Sequence, residues 1–153
     1  MAGKVYSDTK RLDKSGMQFN KDLVIELKGN DHPWVSRGGV KLEHGIKAFG
    51  LDIRDSVCLD IGASTGGFSH VLLKNGAKRI YAVDVGHGQL AWEIRNNKRV
   101  VVIERFNARY LTPKEVPEKV DFICSDASVI GLKTILPAAL QLAGSNALLL
   151  ALI

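Results

Sequence analysis

Cysteine is scarce in this chain, and the two that occur, Cys58 and Cys124, cannot form a metal cluster between them. Both fall within apolar runs, so they read as small packed hydrophobes of a cytoplasmic protein, and no metal site is expected. The opening residues Met1-Ala-Gly-Lys-Val-Tyr-Ser7 lack the apolar stretch of a secretory signal. There is no internal repeat and no tract of low complexity. Charge is missing from Ile135 to Ile153, a length near the roughly 20 residues that cross a bilayer. Pro137, Gln141 and the turn signal Gly144-Ser145-Asn146 interrupt that stretch, which reads as a helix, a tight turn and a buried strand. No stable membrane span is expected.

What is present is ordinary globular material: 153 residues, 46% apolar and 24% charged, enough for one domain with a proper core. Lys and Arg number 21 against 16 acids, a net charge of +5. That excess favours an acidic or nucleic-acid partner, although many small basic domains have none.

Residues 4–28 are polar and rich in charge, with one alternating stretch, Leu23–Leu27, that looks like an edge strand. His32-Pro33-Trp34 then reads as a linker. Ser36 can cap a helix running towards Phe49, with Val40, Ile46 and Phe49 among its apolar positions and Gly50 at its end. Short apolar runs follow at Val57–Ile61, Ile80–Val83, Val100–Ile103, Val120–Cys124 and Ala147–Ile153. They are apolar on both faces, as strands covered on both sides by helices are. Helical patterns lie between them at Gly67–Asn75, Gln89–Asn96 and Leu132–Ala143. Thr112-Pro-Lys-Glu115 has capping-box spacing and predicts a short turn of helix. Strands alternating with helices predict an α/β fold with a doubly wound parallel sheet.

The first of these strands runs into Asp60-Ile-Gly-Ala-Ser-Thr-Gly-Gly-Phe68. Its glycines permit a tight turn and close backbone approach to a ligand at the mouth of the next helix. The second strand ends in Asp84, 22 residues after Gly62, where a carboxylate can accept hydrogen bonds from both ribose hydroxyls of a nucleoside. A phosphate-binding P-loop requires Lys after the last glycine, and Phe68 stands there. The nicotinamide pattern Gly-x-Gly-x-x-Gly is broken by Ser64. Carboxylates beside the loop suit a ligand with an ammonium and a sulfonium better than a pyrophosphate. These residues therefore favour S-adenosylmethionine and leave NAD open.

Ser36-Arg-Gly-Gly-Val-Lys-Leu42, Cys58-Leu-Asp-Ile-Gly-Ala-Ser-Thr-Gly-Gly-Phe68, Tyr81-Ala-Val-Asp-Val-Gly86, Gly88-Gln-Leu90, Asn107-Ala-Arg-Tyr110 and Leu136-Pro137 occur in that order. Together they resemble the hemolysin A (TlyA) family of FtsJ-like methyltransferases, over about residues 24 to 153. The resemblance implies a Rossmann-like fold dependent on S-adenosyl-L-methionine and 2'-O-methylation of cytidine in ribosomal RNA, with ribosomal RNA or ribosomal subunits as partners and a cytoplasmic location. Some family members are named for a lytic phenotype. A noncatalytic RNA-binding or membrane-active module with a vestigial cofactor fold is thus the alternative from another class.

By the same resemblance, Asp60, Gly62, Ala63, Ser64 and Gly66 would hold the methionine and ribose parts of the cofactor. Asp84 would hold the ribose diol, and Asn107 would meet the adenine edge. The family's Lys-Asp-Lys-Glu set around the target hydroxyl finds its first Lys in Lys41 and its Asp in Asp126. Arg37, Arg105 and Arg109 are candidates for RNA phosphate contacts. His87 reads as a local hydrogen-bonder, and Trp34 and Trp92 as residues that pack or cover a surface and do not stack bases.

There are departures. Asp126-Ala-Ser-Val-Ile-Gly131 stands where the family reads Asp-Val-Ser-Phe-Ile-Ser. The second Lys and the Glu would lie past Ile153, as would two of seven strands, so the methyltransferase domain, 36–153, is expected to be incomplete at its C-terminus. Residues 1–30 look like the remnant of an N-terminal α-L RNA-binding domain. The expectation is a catalytically inactive fragment that keeps its cofactor site.

Overall fold

The computed structural model describes residues 5–7, 10–12, 16, 18–27, 32–126 and 131–152. The chain divides into two units, Met1–Pro33 and Trp34–Ile153, a boundary inside the expected linker. In the first unit β1 (Val5–Ser7) pairs antiparallel with both β2 (Lys10–Arg11) and β3 (Glu26–Leu27). The expected strand at Leu23–Leu27 shrinks to its last two residues, and it is indeed an edge. Val24 and Ile25, just before it, are 71% and 59% exposed.

The second unit runs α1 (Arg37–Ala48), β4 (Val57–Ile61), α2 (Gly67–Lys74), β5 (Arg79–Val83), α3 (Trp92–Arg95), β6 (Val100–Ile103), a 3-10 turn (Ala108–Tyr110), β7 (Val120–Asp126), α4 (Leu132–Leu142) and β8 (Ala143–Leu152). The five strands pair in parallel in the order β6-β5-β4-β7-β8. This is the expected doubly wound α/β sheet of Rossmann type. Successive side chains of a strand alternate between faces, and here both faces are covered. Cys58, Ile80 and Phe122 point to a core layer with Leu42, Val71 and Leu72 of α1 and α2. Leu59, Val83 and Ile123 point to the layer with Ile135 and Ala139 of α4. Both cysteines are buried and free, and burial pushes the Cys58 thiol up to about 12. The strand order reverses between β4 and β7, which opens a crevice at their carboxyl ends.

Several expectations need correction. In α1 the buried stripe is Gly39, Leu42 and Ile46, whereas Val40 and Phe49 are exposed. The helix packs through its glycine side, so apolar residues off that stripe have nothing to cover. The helix at Gln89–Asn96 is one turn, Trp92–Arg95, because Ala91 N–H is bound by Thr65 O at 3.1 Å and Gly88 N–H by Glu104 Oε1 at 2.9 Å. Trp92 stands out at 79% exposed, while Trp34 is buried as expected. Thr112 and Glu115 make the capping-box bonds, Thr112 N–H and O–H both donating to Glu115 Oε2, but close a turn without a helix. The tight turn at Gly144–Asn146 is absorbed into β8 as an irregularity, since β7 pairs at Val120↔Ala143 and next at Phe122↔Leu148. Nor is that strand buried: it lies at the sheet's edge, with Leu148 and Leu149 46% and 41% exposed. Among the described residues no helix is long and apolar enough to cross a membrane.

Candidate active site

Past Ile61 the chain turns out of β4 through Gly62 (φ 81°) and Ser64 (φ 48°) and enters α2 at Gly66 (φ 94°). A left-handed backbone at both glycines makes the turn sharp without Cβ strain. Gly67 is glycine for a different reason: a Cβ there would lie 2.2 Å from Ser36 Oγ and 2.8 Å from Gly39 N. The start of α1 therefore rests directly on the start of α2.

Asp84, just past β5, takes the Ser64 amide on Oδ2 and the Gly86 amide on Oδ1, each at 2.7 Å. One carboxylate thus ties together the two loops that leave β4 and β5. Between those loops and β7 lies a cleft of about 380 Å³, walled by Gly62, Ser64, Asp84, Val85, Gln89, Phe106, Ala108 and Asp126, with Ile61 and Val83 at its floor. A second cleft, about 270 Å³, adjoins it over Ser36, Arg37, Gly38, Thr65, Gly67 and Phe68. Gly62, Ser64 and Asp126 line both. At this junction Lys41 Nζ of α1 donates to Asp126 Oδ2, the last residue of β7, at 2.8 Å. The pair stays partly open to solvent, with side chains 53% and 26% exposed.

The site residues expected from the sequence divide accordingly. Gly62, Ser64, Asp84 and Asp126 line the first cleft, and Arg37, Gly62, Ala63, Ser64 and Asp126 the second. Gly66 shapes the turn below them. Asp60 does not face either cleft. Alternation along β4 points it towards α2, where it is 1% exposed and accepts the Ser69 hydroxyl at 2.7 Å. Its other oxygen is buried without a partner, and burial pushes this carboxyl up to about 6. Asn107 is likewise not a wall residue; its side-chain oxygen caps the 3-10 turn by accepting Arg109 N–H at 3.2 Å, and its neighbours Phe106 and Ala108 line the cleft instead. Arg105 adopts φ 54° on the surface and its amide binds Gly86 O at 3.0 Å. Arg109 stacks its guanidinium over the exposed Tyr110 ring, 4.5 Å from the centroid, and also bonds the Tyr110 hydroxyl.

Glu104 escaped the sequence reading. It accepts the Gly88 amide, the His87 ring and the Arg95 guanidinium, and so pins the loop carrying Val85 and Gln89. The Arg95 bond, followed by those from His87 and Gly88, holds its carboxyl below the usual range. His87 is the local hydrogen-bonder expected. Val85 was also missed, and its signal is an apolar side chain left 56% exposed just beyond a strand-ending acid.

The model of the FtsJ-like methyltransferase family matches residues 34–153, the whole second unit. The chain belongs to that family. The chain is 51% identical over 138 residues to YqxC of Bacillus subtilis, a match covering 90% of this chain and 49% of the relative. It is 48% identical over 147 residues to the 16S/23S rRNA (cytidine-2'-O)-methyltransferase TlyA of Mycobacterium tuberculosis, covering 95% and 55%. A solved structure from Streptococcus thermophilus, 42% identical, superposes with a TM-score of 0.80 over 99% of this chain and 56% of its own. The chain spans about half the length of the curated relatives it matches.

Proposed function

We propose that this chain carries the cofactor site, and part of the acceptor site, of an S-adenosyl-L-methionine-dependent methyltransferase acting on the 2'-hydroxyl of cytidine in ribosomal RNA. The observation that carries the reading is the Lys41–Asp126 pair, drawn from elements 85 residues apart and set where the two clefts meet. A structural ion pair has no need of that position.

The residues present fit the cofactor. The first cleft has the dimensions of a nucleoside, apolar walls at Val85, Phe106 and Ala108, and a carboxylate, Asp84, at its edge. Gly62 offers bare backbone where a Cβ would meet nothing nearer than Asp126 O at 4.0 Å. When bound, the cofactor supplies an electrophilic methyl on a sulfonium. Asp84 uses one lone pair of each oxygen on a backbone amide and keeps the others for the ribose diol. Val85 and Phe106 exclude water from the ring. Displacement at the methyl is in-line, so the protein must mainly align the acceptor and remove its proton. Asp126 can accept a hydrogen bond from the incoming hydroxyl and take its proton as the O–CH3 bond forms and the C–S bond breaks, and the Lys41 nitrogen, as a hydrogen-bond donor, can stabilise the oxygen meanwhile. Arg37, on the second cleft, is placed to meet a phosphate of the acceptor strand, with Arg105 and Arg109 as outer contacts.

What supports RNA as the acceptor is the name of the M. tuberculosis relative, together with the basic balance of this chain. A ribosomal RNA substrate would place the protein in the cytoplasm. The first unit is read as the tail of an RNA-binding domain. No observation supports the expectation of an inactive fragment, so the test is transfer of a labelled methyl group by this chain to ribosomal RNA, followed by digestion to nucleosides. Label in 2'-O-methylcytidine is the expected result, and label on a base or on protein would overturn the acceptor assignment.

A further inference from the structure

His70 stands on α2, one turn beyond the glycine junction with α1, and takes no part in either cleft. Its Nδ1 accepts the Val35 amide at 3.3 Å, and its ring meets Trp34 edge-on, centroids 5.2 Å apart at 89°. Trp34 is itself fixed from the other side. Its Nε1 donates to Glu43 of α1 at 3.2 Å, and its ring packs so tightly on Gly39 that a Cβ there would lie 2.5 Å away. Residues 34–35 are thus clamped between α2 and α1 immediately before α1 begins. That helix presents Arg37 to the second cleft and Lys41 to Asp126.

We infer that His70 is a positioning residue for methyl transfer: its neutral ring holds the Val35 amide and thereby sets α1, with Arg37 and Lys41, over the acceptor side of the site. The inference rests on the function proposed above. An imidazole nitrogen accepts a hydrogen bond only while it carries no proton, so the clamp requires the tautomer with hydrogen on Nε2 and opens when the ring is protonated. The groups facing His70 are Lys74 of α2, Glu93 of α3 and Arg99 before β6, which line the same hollow. Burial opposes the ring's charge most strongly, Lys74 adds to that, Glu93 works against it, and the balance lowers its pKa below 6.5. The Arg99 guanidinium is committed to the carbonyls of Ala77 and Leu73. The unfolded ring takes its proton at higher pH than the folded one. The clamp's contribution is therefore complete above about pH 6.5 and is lost as pH falls through the folded value.

Two variants separate the clamp from simple packing. His70→Phe keeps an aromatic ring beside Trp34 but has no acceptor; His70→Asn keeps an acceptor near the Nδ1 position and does not titrate. Hydrogen exchange of the Val35 amide, corrected for intrinsic rates, reads the clamp whether or not the protein is active. In H70F the exchange should be about threefold to tenfold faster than in the native chain at pH 7.5, with H70N close to native. The native chain should lose this protection as pH falls through the ring's lowered value, while H70N retains it. In methyl transfer, H70F should lower kcat by a similar factor and leave the dissociation constant for S-adenosylmethionine within twofold. Native-like Val35 protection in H70F, or an H70F defect confined to cofactor affinity, would overturn the inference. Absence of transfer by the native chain itself would overturn the functional reading, and the exchange comparison would still decide the clamp.

Discussion

The two halves of the site are held by different means. The loops of the cofactor cleft are tied by bonds that span no more than 20 residues: Asp84 binds the amides of Ser64 and Gly86, and Glu104 binds Gly88, His87 and Arg95. The acceptor side joins distant segments, with Lys41 reaching Asp126 across 85 residues and Val35 reaching His70 across 35. Charge-assisted bonds from carboxylates to amides are strong and short, and they close small loops at little entropic cost. The acceptor side depends instead on α1 lying correctly on α2. Its geometry is therefore open to perturbation from residues that touch no substrate.

If that contrast is real, substitutions should separate chemistry from cofactor binding. The largest effect is expected from Lys41→Ala, which should slow methyl transfer roughly a hundred- to ten-thousandfold with the cofactor dissociation constant unchanged. Single-turnover kinetics beside a binding isotherm will show whether the two separate. Asp84→Ala should do the reverse, weakening S-adenosylmethionine about ten- to a hundredfold, the cost of losing a charge-assisted contact. A native dissociation constant in a folded D84A variant would take Asp84 out of the site.

Gly67→Ala tests the junction between the halves. The added methyl has backbone, the Gly39 nitrogen, only 2.8 Å away, so α1 must shift. A stability loss of about 1–3 kcal/mol in denaturant titration is expected, with transfer falling further than cofactor affinity. The smallest effect concerns Asp60. Its folded carboxyl titrates near 6, above the ordinary 3.8, so native protein loses stability as pH rises from about 4 to 6. Asp60→Asn should flatten the dependence of Tm on pH across that window, without lowering Tm at pH 7. A wild-type-like slope would show that the buried carboxyl does not titrate there.

The same contrast governs what could be read from the residues. The parallel strands were legible because burial on both faces leaves nearly unbroken apolar runs, and the cofactor loop because tight turns need glycine at fixed places. Asp126 is marked by its place at the carboxyl end of a strand, but Lys41 carries no local signal; no spacing brings positions 85 apart together, and their pairing rested on resemblance to a family. The contact face of α1 joins Leu42 and Ile46 to Gly39, which no hydrophobic pattern marks. The length of α3 was overestimated because Glu104 and Thr65 hold residues 88–91 as a loop against their helical periodicity. The place of Asp60, away from both clefts, was legible too. Alternation in β4 already puts it on the side of Cys58, away from Leu59 and Ile61.

The most direct test of the central claim is isothermal titration of the 153-residue chain with S-adenosylmethionine and, separately, with NAD. Saturable one-to-one binding of S-adenosylmethionine, weakened by Asp84→Ala and unaffected by Lys41→Ala, is the result predicted. Binding of NAD in its place, or no binding of S-adenosylmethionine by the folded chain, would contradict it.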